Sequence, residues 1–193
     1  SHTWLIFLLP VGGLLSVGIY TLFHQRNNRG TNEVIDAVLS GGAVSAYVSP
    51  TIFLATTVTH LFGGSAGREG AALQIGGSIG NALGGLFRFD EKDKHVMIMC
   101  GMSAVFAGLF RTPLTAMLFC MEFESVGTIF SPALLPCFLA ALISSNIAAA
   151  LGVHEETVDI EIVAPLDAEN AWKYIVLAVL VAFLGRFMCT FFH

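Results

Sequence analysis

Charge is what this sequence lacks. Of its 193 residues, 9 are Lys or Arg and 14 are Asp or Glu, so 12% are charged, where a soluble domain carries about 25%. With 55% hydrophobic residues and a mean hydropathy of +0.76, an ordinary soluble domain is excluded and a membrane protein is expected. The net charge of −5 arises largely in residues 155–169, which hold six acids and no base, so nothing supports a nucleic-acid partner. Cysteine is scarce as well. Cys100, Cys120, Cys137 and Cys189 lie in apolar segments without metal-ligand spacing and read as small packing residues, so neither a metal nor a cofactor is expected. No His, Asp or Glu pair stands at catalytic or metal spacing within an apolar segment, and no Ser–His or Cys–His pairing is suggested, which weakens the case for an intramembrane enzyme.

Against this background one stretch stands out: Gly63-Gly64-Ser65-Ala66-Gly67-Arg68-Glu69-Gly70-Ala71-Ala72-Leu73-Gln74-Ile75-Gly76-Gly77-Ser78-Ile79-Gly80. Arg68 and Glu69 sit side by side in a glycine-dense, apolar run. Removing ionised groups from water is costly, so intramembrane charges face a cavity, pair with one another or mark an ion path. Glu69 is placed just ahead of a helical pattern starting near Ala71, and a helix N-terminus offers unsatisfied N–H groups and roughly half a positive charge. An ionised Glu69 can then occupy an anion site as a tethered anion. A free anion can displace it, or a proton can neutralise it and let it swing away, and either event makes a gate. The alternative is an Arg68–Glu69 ion pair at a loop mouth. A phosphate-cradling P-loop is a poor fit, because no Lys followed by Ser or Thr succeeds the glycines.

Gly67-Arg68-Glu69-Gly70, followed by Gln74-Ile75-Gly76-Gly77 and later by Gly101-Met102-Ser103-Ala104-Val105-Phe106-Ala107-Gly108-Leu109-Phe110-Arg111-Thr112-Pro113-Leu114, resembles the CLC family of chloride channels and proton-coupled anion antiporters. The resemblance runs from about Trp4 to the C-terminus. It implies that Glu69 is the gate and that Gly67, Arg68, Gly70 and Ala71 shape the anion site, although Ala71 stands where the family usually has Pro.

In chain order, residues 4–23 are about long enough to cross a bilayer and lack the basic lead-in of a signal peptide. Arg26 and Arg29 directly after them place that end in the cytoplasm. Residues 30–38 read as a helix start with Thr31 or Asn32 as its cap. Thr31 also falls where the family resemblance puts an anion-coordinating serine, so it is a candidate ligand. Residues 40–62, interrupted by Gly41-Gly42 and Ser49-Pro50, predict a short helix, a break and a second helix over 51–61. Such breaks line pathways in transporters. His60 reads more readily as a structural histidine than as a proton relay. Ala72, Gly76, Gly80 and Gly84 repeat every four residues and form a smooth ridge for close helix packing. Residues 88–95 read as a charged loop, followed by apolar segments 96–110 and 113–123 broken at Arg111-Thr112-Pro113, where Arg111 suits a snorkelling or carbonyl-binding role.

Glu122 and Glu124 are candidate proton-pathway residues. The resemblance matches Glu122 to the first of two consecutive family glutamates and puts Phe123 in the place of the second, the internal proton acceptor. That departure favours a channel or a fluoride-type antiporter over the chloride/proton antiporter. Residues 131–153 are long enough to span, residues 154–171 form an acidic loop in which Val158, Ile160 and Ile162 alternate as in a strand, and residues 172–193 give a further span.

The expectation is an all-α, multi-pass integral membrane protein of CLC-type fold with broken, tilted helices. Residues 1–153 form the first inverted repeat and residues 172–193 the opening helix of the second, within a longer protein. The function expected is transport of chloride or a similar small anion by a channel or anion/proton antiporter, with fluoride/proton antiport as the alternative within the family. An enzyme using Glu69 as acid/base is the alternative of another class. Small anion, proton, membrane lipid and a second copy of the chain in a homodimer are the expected partners.

Overall fold

The computed structural model describes residues 7–123, 131–154 and 168–192. Among these residues the chain forms eight α-helices: α1 (Leu9–Leu22), α2 (Thr31–Ser40), α3 (Val48–Leu61), α4 (Arg68–Leu86), α5 (Glu91–Phe110), α6 (Pro113–Glu122), α7 (Ser131–Ala150) and α8 (Ala168–Phe192). The alternating residues of the acidic segment and Glu124 lie outside the described residues.

Close approach of glycine backbones organises the first seven helices. α4 and α5 cross along the predicted small-residue ridge: a Cβ on Gly76 would run into the Gly101 carbonyl, one on Gly80 into the Met97 carbonyl, and one on Gly84 would stand 3.1 Å from Lys94 Cγ. Gly108 carries α5 onto α7, where an added Cβ would lie 2.8 Å from Ser144 Oγ. α1 meets α3 through Gly12, whose site for a Cβ is 2.7 Å from Phe62 Cβ, and through Ser16 and Thr59, whose hydroxyls are 3.4 Å apart. The core then fills with Val34 and Val38 of α2, Leu73 of α4, and Ile98, Met99 and Met102 of α5. Cys100, Cys120 and Cys137 are buried in it, with the Cys100 and Cys137 sulfurs 3.7 Å apart.

Several boundaries differ from the sequence reading. α1 has 14 residues, about 21 Å at 1.5 Å per residue, so over the described residues it falls short of a hydrocarbon core about 30 Å thick. The short helix expected between Ser40 and Ser49-Pro50 does not form; residues 41–47 after α2 are non-helical, and α3 starts at Val48 with Pro50 in its first turn, where proline's missing N–H costs no helical bond. Polar side chains of α4 satisfy that break: Asn81 Nδ2 donates to the Val44 carbonyl at 2.7 Å, and Ser78 Oγ donates to the Ser45 carbonyl at 2.8 Å. This is the condition under which open backbone survives at membrane depth. The charged loop also shrinks, because Asp90 caps α5 by accepting from the Asp93 N–H at 2.8 Å and so draws residues 91–95 into the helix. Arg111 ends α5 with φ 59°, and its Nη1 donates to the Val153 carbonyl at 3.3 Å, as a carbonyl-binding residue should.

Among the described residues three helices are long and apolar enough to cross a membrane: Glu91–Phe110, Pro132–Ala150 and Asn170–Phe191. The last lies in α8, which belongs to a separate compact unit and exposes a continuous apolar surface including Ile175, Leu180, Phe183 and Phe187.

Candidate functional site

The site forms where two helices begin. α4 starts at Arg68 rather than near Ala71, with Gly67 in extended conformation at the N-cap (φ −64°, ψ 137°) and no side chain capping it. Arg and Glu are good helix formers, and a carboxylate in the first turn is favoured by the helix dipole, which explains the earlier start. Glu69 therefore lies within the first turn instead of just ahead of it, and Ala71 is the fourth helical residue, so the family proline's place is not a first helical position here. The N–H groups of Arg68, Glu69 and Gly70 are the donors that helix geometry leaves without an intrahelical carbonyl.

The Glu69 side chain is exposed and folds back toward its own helix start, with Oε2 3.3 Å from where a Cβ on Gly67 would stand. A carboxylate so placed lies at the positive end of α4, where the helix dipole favours negative charge. Arg29–Asp36 at 2.7 Å and Lys94–Glu91 at 2.8 Å are ion pairs among the described residues, and Glu69 joins neither.

α2 brings the second N-terminus. Its N-cap is Gly30 at φ 66°, a left-handed conformation that glycine adopts without strain, and no side chain caps it. Thr31 is the first helical residue, so neither it nor Asn32 acts as the expected cap. The amide at work is one turn earlier: Asn28 Oδ1 accepts from the Gly30 N–H at 2.7 Å and fixes the approach to α2. Thr31 is thus released from capping, and its hydroxyl oxygen lies 2.7 Å from where a Cβ on Gly70 would be. Gly67, Arg68, Glu69, Gly70, Ala71 and Thr31 come together at one place.

Glu122 does not join them. It is the exposed last residue of α6, a helix packed on α5 and α7 and not on α4.

Two neighbours were not singled out from sequence as parts of this site. A cavity of about 190 Å³ between α3, α4 and α5 is lined by Thr56, His60, Gly67, Arg68, Ala71 and Val105, among others. His60 Nδ1 lies 2.7 Å from the Thr56 carbonyl. A carbonyl only accepts, so in the neutral ring Nδ1 carries the proton and Nε2 keeps its lone pair. Gln74, one turn beyond Gly70, is 7% exposed; its Nε2 donates to the Gly70 carbonyl at 3.2 Å, while its Oε1 is buried without a partner. In the sequence Gln74 appears only within the Gln74-Ile75-Gly76-Gly77 motif, which carries no sign of its burial.

A family model described as voltage gated chloride channel matches residues 12–193. A protein of Pseudomonas syringae pv. tomato called "Chloride/fluoride channel protein" is 34% identical over 195 residues, covering 100% of this chain and 43% of that protein. The solved structure described as "Crystal structure of a CLC-type fluoride/proton antiporter" superposes with a TM-score of 0.84 at 34% identity, over 95% of this chain and 46% of that one. The chain spans about half the length of the relatives it matches.

Proposed function

We propose, on the premise that this chain belongs to the voltage gated chloride channel family, that it carries one face of an anion pathway through a membrane. In this reading small anions pass the N-termini of α2 and α4, and Glu69 is the gate. The chain is part of a multi-pass integral membrane protein.

The observation that carries the proposal is the meeting of two uncapped helix starts, with the Thr31 hydroxyl against Gly70 and the Glu69 carboxylate at the same end of α4. Hydroxyl and backbone N–H donors stabilise an anion without a fixed cationic side chain, and partial charges at two helix ends add to the same effect. Glu69 supplies the competitor. Ionised, it holds the site against a free anion; neutralised by a proton, it leaves.

Fluoride belongs among the anions to be tested, because both similar proteins are named for it. Proton coupling enters only because the protein of the similar solved structure is named a fluoride/proton antiporter. The enzyme reading gains nothing from either name. A homodimer or lipid contact suits the exposed apolar side of α7, which carries Leu135, Leu139, Leu142 and Ile143.

The test is anion efflux from sealed liposomes containing the full-length protein, followed with chloride- and fluoride-selective electrodes while internal pH is recorded. Flux of either anion supports the reading, and uphill proton movement along with it identifies antiport. No flux of either anion overturns it.

A further inference from the structure

Gln74 lies on the face of α4 that meets α2. Two contacts define that face: the Thr31 hydroxyl is 2.7 Å from the Cβ site of Gly70, and Val34 Cγ1 is 2.5 Å from the Cβ site of Gly77. Residues 70, 74 and 77 are spaced four and three apart, so they share one helical stripe. Gln74 therefore sits between the two contact points, one turn inside the place where Thr31 touches α4.

Its amide orientation follows from its neighbour. Nε2 donates to the Gly70 carbonyl at 3.2 Å, and turning the amide over would set two carbonyl oxygens against each other. Oε1 is then directed away from that carbonyl, buried and unpartnered, on a residue that is 7% exposed. A buried amide oxygen without a donor is unfavourable, and native structures almost always supply one. A bare anion cannot meet that need, because an amide oxygen repels it. A water molecule can, by giving one hydrogen to Oε1 and the other to an anion beside Thr31.

We propose that Gln74 is a specificity-determining residue of the transport site, whose amide oxygen holds a water that the passing anion keeps from its hydration shell. The inference rests on the anion-pathway reading above and adds a consequence for selectivity. A site that lets an anion keep one water costs a strongly hydrated anion less than a site that strips it bare. Fluoride is held by water far more strongly than chloride, so Gln74 biases the site toward fluoride.

The experiment compares wild type with Gln74→Met in the full-length protein, using the fluoride-to-chloride efflux ratio from liposomes, with elution volume and thermal unfolding as controls for fold. Methionine keeps the length of the side chain and removes the amide. The expected result is a fluoride-to-chloride ratio lowered about tenfold, a change worth 1.4 kcal/mol, with the elution volume retained. Gln74→Asn, which keeps the amide but draws it back, serves if the methionine variant does not fold, and lowers the ratio in the same direction. A ratio within about twofold of wild type in the folded variant overturns the inference and makes Gln74 a structural tie to Gly70. Wild type that passes neither anion overturns the anion-pathway reading itself, so the two failures are told apart by the wild-type trace.

Discussion

The Thr31 hydroxyl oxygen lies 2.7 Å from the point where a Cβ on Gly70 would stand. Real Cβ atoms do not come that close to an oxygen, so the two helix starts meet at this distance because residue 70 has no side chain. Sequence identity at one position thereby sets the distance between α2 and α4, and with it the geometry of the donors an anion would meet.

Gly70→Ala should push the α2 start away from α4 and lower anion flux about tenfold, the equivalent of 1.4 kcal/mol of lost stabilisation. Thr31→Ala in the same chain should restore part of that flux, since it removes the atom against which the new methyl collides. Efflux from liposomes for both single variants and the double variant checks this. An additive double variant would mean that the contact does not set the site.

The α4–α5 crossing makes a separate prediction about stability. A methyl at Gly80 would strike the Met97 carbonyl, whereas a Cβ on Gly13 meets nothing within 4 Å. Overpacking against a rigid neighbour costs about 1–3 kcal/mol and sometimes more. Gly80→Ala should therefore unfold at a markedly lower temperature in detergent, and Gly13→Ala should unfold with the wild type.

Asn81 holds the open backbone of residues 41–47 by donating to the Val44 carbonyl at 2.7 Å. Val44 is buried, 1% exposed, so Asn81→Ala leaves that carbonyl without its donor at a cost of about 1–3 kcal/mol. Hydrogen exchange should rise at the amides around residues 41–47 before it rises elsewhere, a local loosening detectable by mass spectrometry.

Much of this organisation is legible in the sequence. The four-residue repeat of Ala72, Gly76, Gly80 and Gly84 announces a close helix crossing, because spacing alone puts those residues on one face. Arg68 and Glu69 are conspicuous because charge is rare here. What sequence cannot supply is register between elements distant in the chain. Thr31 reads equally as a cap or a ligand, and it takes the contact with Gly70 to separate it from Asn28, whose side chain does the bonding at the approach to α2. The start of α4 falls three residues late in the sequence reading because the apolar helical pattern shows only from near Ala71, whereas the charged pair Arg68 and Glu69 already forms the first turn. Gln74 stands out in sequence only as part of a motif; its importance lies in burial and an unpaired oxygen, neither of which spacing reveals.

The proposed competition of Glu69 with anions for the start of α4 is open to direct test by anion efflux from liposomes as a function of pH, for wild type and Glu69→Gln. Protonation removes the competing charge, so wild-type flux should rise as pH falls and be lost again as pH rises. Glutamine carries no charge at any pH, so the variant should conduct with a flat pH profile. A Glu69→Gln protein that keeps the wild-type pH dependence would contradict the account and move the gate to another residue.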